Sequence, residues 1–327
     1  MGRGENMADA ARPEVVMRAR PAVRFAPSPN GYLHLGHAFS ALFTAEVARV
    51  LDARLVLRIE DIDLARARPH FVSQLLEDLD WLGLTFEEPV RRQSEHMADY
   101  AAALGRLDAL GVVYASRASR GEIARFVARR EAAGTPWPRD PDGAPLFPGI
   151  GRVATDEAGD RSDCATRIDM AAAICALKRP VAFTEVGPER GSAVPIVAEP
   201  GKWGDVIVAR RDIATSYHLS VVVDDALQGI SHVTRGMDLF EATHLHRLLQ
   251  ELLGLPAPVY CHHPLVRDAA GRKLAKTLAS VSLKSLRDAG ATRADIVAAT
   301  GIAKWRPWCR GQLRELVSRT FPEAKKI

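Results

Sequence analysis

The sequence predicts an α/β fold built on a parallel sheet. Residues 22–59 read as strand, tight turn, helix and strand in that order; helical periodicity returns downstream; and short apolar strand-like runs recur later in the chain. With 327 residues, of which 47% are hydrophobic and 26% charged, the chain can bury a sizeable core and reads as more than one compact unit.

The first apolar run, Ala22 to Ala26, precedes the Pro/Gly turn Pro27–Gly31, and a helix follows from about Gly36 to Leu51. A second strand, Arg54 to Ile59, completes a unit whose two strands are joined through a helix, the signature of a parallel crossover. Leu, Trp and Ala at three- and four-residue steps predict helices over Phe71–Leu82 and Met97–Leu110. Between Gly134 and Asp163 the periodicity disappears under Gly, Pro, Asp and Arg, which predicts an inserted loop region. Strands are expected at Ala165–Met170, Val181–Val186, Asp205–Ala209, Tyr217–Val223 and Ile230–Val233, then a helix over Asp238–Leu253 and a short strand near Val259. The tail beyond Ser280 reads as largely helical. The stripes Leu75, Leu79, Leu82 and Leu245, Leu248, Leu249, Leu252 belong to the core.

Composition narrows the function. No stretch approaches the ~20 apolar residues of a membrane span, and no secretory signal is legible, so a cytoplasmic protein without a membrane partner is expected. Residues 1–20 read as an aperiodic leader. The four cysteines are scattered, without a Cys-x-x-Cys pair, against a disulfide framework or clustered metal site. A net charge of +4 permits an anionic partner without demanding one.

The strongest local signal is Arg24-Phe-Ala-Pro-Ser28-Pro-Asn-Gly-Tyr-Leu-His34-Leu-Gly-His37, lying after one strand and opening one helix. The turn brings backbone close to a ligand, and the helix N-terminus offers unpaired N–H groups to phosphate. Two histidines three residues apart can add hydrogen bonds to a triphosphate as its charge redistributes. The bland alternative is a capped turn whose histidines bond only to backbone. A second element, Lys273-Leu-Ala-Lys276-Thr277 after Gly271, supplies mobile ammonium groups suited to β- and γ-phosphates.

These segments resemble, in composition and order, the HIGH and KMSKS regions of class I aminoacyl-tRNA synthetases. Arg24-Phe-Ala-Pro-Ser-Pro, Arg58-Ile-Glu60-Asp-Ile-Asp63 and the stretch Val222 to Gly236 resemble the glutamyl branch, so that the likeness covers nearly all of residues 22–280. The resemblance implies a Rossmann-like catalytic domain in two halves, residues 21–110 and 205–262, around an inserted subdomain at 111–204. A KMSKS-like loop and short helical region, 263–327, would follow without an anticodon-binding domain. It implies ATP and Mg²⁺, with His34, His37 and Lys276 catalytic, and His34, Gly36, His37, Lys273 and Lys276 against ATP. For glutamate it implies Arg24, Phe25, Ala26, Pro27, Ser28, Glu60, Tyr217 and Arg235.

Glutamate presents an ammonium and two carboxylates, each needing a partner when desolvated; Arg24 and Arg235 suit carboxylate, Glu60 the ammonium, and Tyr217 and Ser28 neutral hydrogen bonds. Asp61, Asp63, Asp224 and Asp225 read more simply as helix caps. The shortness of the chain after residue 277 matches paralogues of this branch that activate glutamate without tRNA and esterify queuosine in tRNA(Asp), as expected monomers; the rival is an enzyme charging a tRNA 3′ end, or a silent tRNA-binding paralogue. Where the branch often holds zinc, this chain has Ser116, Ala118, Phe147 and Gly151, none of them a zinc ligand, so zinc is predicted absent and packing is expected in its place. Ala275 stands where a Ser is usual, which removes at most one hydrogen bond worth about 1 kcal/mol, and with Lys276 retained activity is expected to survive.

Overall fold

The computed structural model describes residues 20–153, 163–189, 193–266 and 281–316. Strand β1 (Ala22–Phe25) is buried along its whole length, as a central parallel strand covered on both faces must be. It runs through helix α1 (Leu35–Leu51) into β2 (Arg54–Ile59), and the two strands pair in parallel with Val23 beside Leu55. Asp52 ends α1 in the left-handed conformation that Asp tolerates, returning its N–H to Ala48 O. The expected crossover unit is therefore present, with strand ends within a residue of those expected.

Helix α2 (Pro69–Trp81), strand β3 (Glu87–Arg92), helix α3 (Met97–Ala109), strand β4 (Val113–Ser116) and helix α4 (Arg120–Ala132) follow. The capping box of Ser119 and Glu122 starts α4. Then come β5 (Ala165–Ile168), α5 (Met170–Cys175), β6 (Ala182–Glu185), β7 (Val194–Val197) and β8 (Ile207–Ala209). The chain continues through α6 (Tyr217–Leu227), β9 (His232–Gly236), α7 (Ala242–Leu252), β10 (Val259–His263), α8 (Leu283–Asp288) and α9 (Arg293–Thr300), and short helical turns over Ile302–Lys304, Arg306–Trp308 and Cys309–Leu313 follow. The main sheet has seven strands in the order β3-β2-β1-β9-β10-β6-β7, parallel except for β7; β4, β5 and β8 form a separate antiparallel sheet. No described helix is long and apolar enough to cross a membrane.

The order places a switch between β1 and β9: from β1 the chain turns one way to β2, and much later returns on the other side as β9 and β10. In open parallel sheets such a point leaves a crevice outside the carboxyl ends of the strands, where ligands gather. One face of α1 seals this region from behind. Its Phe39, Phe43 and Val47 pack with Val23, Val259 and the buried Cys309 and Leu313 near the C-terminal end of the described chain. On the other side Leu75, Leu79 and Leu82 join Leu57 and Ile59, and Leu245, Leu248 and Leu249 form the center of a third cluster with the valines of α6; Leu252 packs at its border.

Two expectations are corrected. Tyr217–Val223 is helix rather than strand: Ser216 caps α6 by accepting from Leu219 N, and the run Val221–Val223 is buried within a helix sunk into the core. Three adjacent β-branched residues read as strand from propensity, and tertiary burial overrides it. Likewise Asp61, Asp63, Asp224 and Asp225 cap no helix; each accepts hydrogen bonds from side chains or backbone distant in sequence, described below. All four cysteines are free, Cys175 exposed and Cys164, Cys261 and Cys309 buried.

Candidate active site

At the carboxyl ends of β1, β2, β9 and β10 lies a cavity of about 710 Å³. It is lined by Arg24 to Ser28 at the end of β1, by His34, Gly36 and His37 at the start of α1, and by Glu60, Tyr217 and Arg235. Every residue expected to touch glutamate, and the three expected phosphate partners in the first element, therefore face one space. Lys273, Ala275, Lys276 and Thr277 lie outside the described residues. The chain before them, to Val266, lines the cavity, and the chain after them resumes beside it: Leu283 N donates to Leu33 O at 2.7 Å, and Ser282 bridges to His34.

The start of α1 reconciles the two readings of its histidines. His34 is the N-cap residue and its Nδ1 accepts from Gly36 N at 3.1 Å, while His37 Nδ1 accepts from His34 N at 3.2 Å. Each ring therefore carries its proton on Nε2, where it can donate to an anion. Burial holds both rings neutral, His37 down at about 3 with help from its neighbour His34, and the ring centroids lie 3.8 Å apart with the planes tilted by 31°. Gly36 makes this possible, because a Cβ there would stand 2.9 Å from His34 Cε1.

Beneath the cavity a buried chain of charges aligns the polar groups. Arg24 donates from Nε to Asp225 Oδ1 at 3.0 Å and from Nη1 to Thr234 O at 2.9 Å. Arg58, fully buried, donates to the same Asp225 oxygen at 2.7 Å and to Glu60 Oε1 at 3.0 Å. Asp225 is held below the ordinary carboxylate range, because these two arginines outweigh the burial that opposes ionisation. Glu60 goes the other way: burial raises it more than Arg58 and Arg24 lower it. A cation arriving beside Glu60 would offset that burial. Neighbouring Asp224 accepts from Arg91, Gln93 and Tyr100, which braces β3 and α3 against α6, and Asp61, just after β2, accepts from Ser94 and Arg92.

Arg235 differs from the other arginines of the site. Its guanidinium is buried and meets His262, His246 and Thr243, at 3.0, 3.1 and 2.6 Å. Among the described residues no carboxylate pairs with it, so its charge faces the cavity uncompensated. Two arginines, Arg24 and Arg235, line the space together with the carboxylates of Glu60 and Asp238, a set that suits a small acidic ligand that also carries an ammonium. The volume is ample for a nucleotide beside it.

Sequence reasoning missed several lining residues. Phe39 and Ser40 follow Gly36 and His37 at helical spacing and were within reach of that signal. His263, which bonds Ser40 Oγ at 3.1 Å, and Asp238 are brought in by β10 and the chain after β9, with no local sign of it. At the positions associated with zinc the chain packs directly. Ser116 Oγ accepts from Ala118 N, Arg117 N donates to Gly151 O, and the Arg167 guanidinium lies 3.7 Å from the centre of the Phe147 ring. These side chains offer zinc no thiolate, imidazole or carboxylate, and among the described residues no three of His, Cys, Asp and Glu gather as a metal site.

Comparison with known proteins agrees with the geometry. Residues 22–322 match the family described as tRNA synthetases class I (E and Q), catalytic domain. The chain is 48% identical over 280 residues to the glutamyl-Q tRNA(Asp) synthetase of Rhodobacter capsulatus, covering 84% of this chain and 97% of that one. It is 40% identical over 271 residues to glutamate–tRNA ligase 2 of a Methylobacterium species, covering 83% of this chain and 57% of that one. A crystal structure of glutamate-tRNA synthetase from Elizabethkingia anophelis shares the fold, with a TM-score of 0.64 at 24% identity over 84% of this chain and 54% of that one.

Proposed function

Because the chain belongs to the class I tRNA synthetases (E and Q), we propose that it is a ligase that activates L-glutamate with ATP and passes the glutamyl group to the queuosine base of tRNA(Asp). One observation carries the activation step: the turn and helix start at Ser28–His37, Glu60 and Arg235 line one cavity. In this reading Arg24 and Arg235 hold carboxylate, Glu60 the ammonium, Tyr217 and Ser28 neutral bonds, with Phe25, Ala26 and Pro27 shaping the floor. His34 and His37 donate from Nε2 to the triphosphate, against the backbone around Gly36. The α-carboxylate oxygen of glutamate attacks the α-phosphorus, pyrophosphate leaves with Lys273 and Lys276 offsetting its charge, and glutamyl-adenylate forms, from which a nucleic-acid hydroxyl then displaces AMP; Mg²⁺, when bound with ATP, would add positive charge beside the departing pyrophosphate. Placement and electrostatics supply the catalysis, with no protein nucleophile.

Activation without tRNA and a queuosine acceptor are supported by the 48% identity to the glutamyl-Q relative of Rhodobacter capsulatus over 97% of its length. The same reading takes the chain as a cytoplasmic monomer, with residues 111–204 inserted between two halves of the catalytic unit. The test joins two assays: glutamate-dependent pyrophosphate exchange without tRNA, and glutamyl transfer to tRNA(Asp) with and without queuosine. Exchange without tRNA and transfer only to the queuosine form are expected. Exchange that needs tRNA, or transfer to the 3′ end of unmodified tRNA, points to the rival ligase; no exchange under either condition removes the activity altogether.

A further inference from the structure

The structure assigns Glu185 and His262 a positioning role: together they hold the Arg235 guanidinium through a neutral imidazole, so that its charge stays available to the substrate carboxylate. This rests on the reading of Arg235 as a carboxylate binder.

The assignment follows from the proton count. His262 Nε2 lies 3.0 Å from Arg235 Nε and 3.3 Å from Thr243 Oγ1. The arginine N–H can only donate, so Nε2 must accept and carry no proton. The ring proton is then on Nδ1, which faces Glu185 Oε2 at 2.5 Å. Glu185 is fixed in turn, since its other oxygen accepts from the backbone N–H of Gly187 at 2.7 Å and of His262 at 2.9 Å. A side chain at position 187 would enter this arrangement, a Cβ there lying 2.5 Å from Glu185 Oε1 and 2.4 Å from His262 O. Both Glu185 and His262 are completely buried, at the ends of the adjacent strands β6 and β10. The stack on Tyr260 and the edge of Phe240 fix the plane of the His262 ring.

The same logic runs on the other side of the guanidinium. His246 Nδ1 faces Arg235 Nη1 at 3.1 Å and must accept, which leaves its Nε2 proton for His218 Nδ1 at 3.1 Å. Arg235 thus spends three N–H groups on two neutral imidazoles and a hydroxyl, and keeps one on each Nη for the cavity. A carboxylate in direct contact would fix the guanidinium equally well, yet it would compete with the substrate for the charge. Placing Glu185 one imidazole away supplies orientation while leaving the positive field pointed at the ligand. Glu185 therefore acts through His262 and touches no substrate.

The Glu185→Gln substitution tests this. It keeps the shape, but a glutamine has one acceptor oxygen where the carboxylate serves three donors on two oxygens. If its amide faces His262 Nδ1 the ring proton moves to Nε2, toward Arg235; if it turns over, the amide meets two backbone N–H groups. In pyrophosphate-exchange kinetics the variant should raise the KM for glutamate by about tenfold to a hundredfold, as for loss of one hydrogen bond to a charged group, with the KM for ATP and kcat within about twofold of wild type. Arg235→Lys is the companion. If it raises the glutamate KM while Glu185→Gln leaves it at the wild-type value, the relay is wrong and the carboxylate reading stands; if Arg235→Lys changes no glutamate parameter, that reading itself falls. A Glu185→Gln defect spread equally over glutamate, ATP and kcat overturns the positioning role in favour of a structural one. Histidine-labelled wild-type protein gives a second readout that needs no variant. Its ¹⁵N–¹H spectra at pH 7 should show His262 protonated on Nδ1 only, with and without glutamate, and a proton on Nε2 overturns the proposal.

Discussion

Replacing Asp225 by Asn removes one charge from the buried chain beneath the cavity. Its Oδ1 accepts from Arg24 at 3.0 Å and Arg58 at 2.7 Å, both guanidiniums being almost wholly buried. Breaking a buried pair by removing one partner costs about 3–5 kcal/mol. The lower end applies, because Arg58 keeps Glu60 at 3.0 Å and Asp224 at 3.7 Å, while the Thr234 carbonyl still accepts from Arg24 at 2.9 Å and offsets part of the loss there. With about 2–4 °C per kcal/mol, the melting midpoint at pH 7 should fall by roughly 6–12 °C. The sign of the pH dependence follows from the direction of the shift. A carboxyl held below its ordinary value of 3.8 is fully ionised in both folded and unfolded chains above that range, so its contribution is complete there and fades only as pH falls through the folded value. Thermal and urea melts of wild type and variant at pH 7 and pH 5 should show the same gap. A gap below about 1 kcal/mol at pH 7, or one that closes between pH 7 and 5, refutes the assignment of Asp225 as the ionised link between the two arginines.

The remaining expectations concern the cavity and its histidines. Glu60→Gln should raise the KM for glutamate by about tenfold to a hundredfold in pyrophosphate exchange and leave the ATP KM nearly unchanged; equal loss of both would contradict a role for Glu60 at the ammonium. In wild type the glutamate KM should rise on acidification through the raised Glu60 value, a limb that Glu60→Gln lacks. His218, His232 and His263 are each pushed by burial to about 4 from 6.5, so each stabilises the fold above 6.5 and loses that contribution as pH falls toward 4, at up to about 1.4 kcal/mol per pH unit per group. Urea melts at pH 7, 6 and 5 should show stability falling across that window, and a flat profile would contradict it. Gly36→Ala should slow exchange with little change in the melting midpoint, because the methyl displaces the His34 ring and loses its cap, about 1 kcal/mol, while Ala in the helix regains about as much; unchanged exchange would show that the ring position is immaterial.

Local sequence carried the crossover unit, since strand, Pro/Gly turn and helix each announce themselves within a few residues between Ala22 and Ile59. It also carried the residues of the candidate site, because the family's motifs hold their identity along the chain, and the fold brings Arg24, His37, Glu60 and Arg235 to one cavity. It failed where meaning is long-range. Val221–Val223 reads as strand because β-branching is a local property, and the Ser216 cap was the only nearby sign of helix. Asp224 and Asp225 read as caps because their arginines lie more than a hundred residues away, at Arg91, Arg58 and Arg24. His246 and His262 gave no signal at all, since a histidine that serves only to accept from an arginine looks like any core histidine until the strands and helices are assembled.

The central claim, that this cavity holds an acidic amino acid joined to a nucleotide, is tested most directly by a crystal structure of the protein with a non-hydrolysable glutamyl-adenylate analogue. The account predicts a ligand carboxylate on Arg235, its ammonium on Glu60 and its nucleotide against Gly36 and the Nε2 atoms of His34 and His37. An analogue that fails to bind, or that binds with Arg235 and Glu60 facing no part of it, contradicts the account.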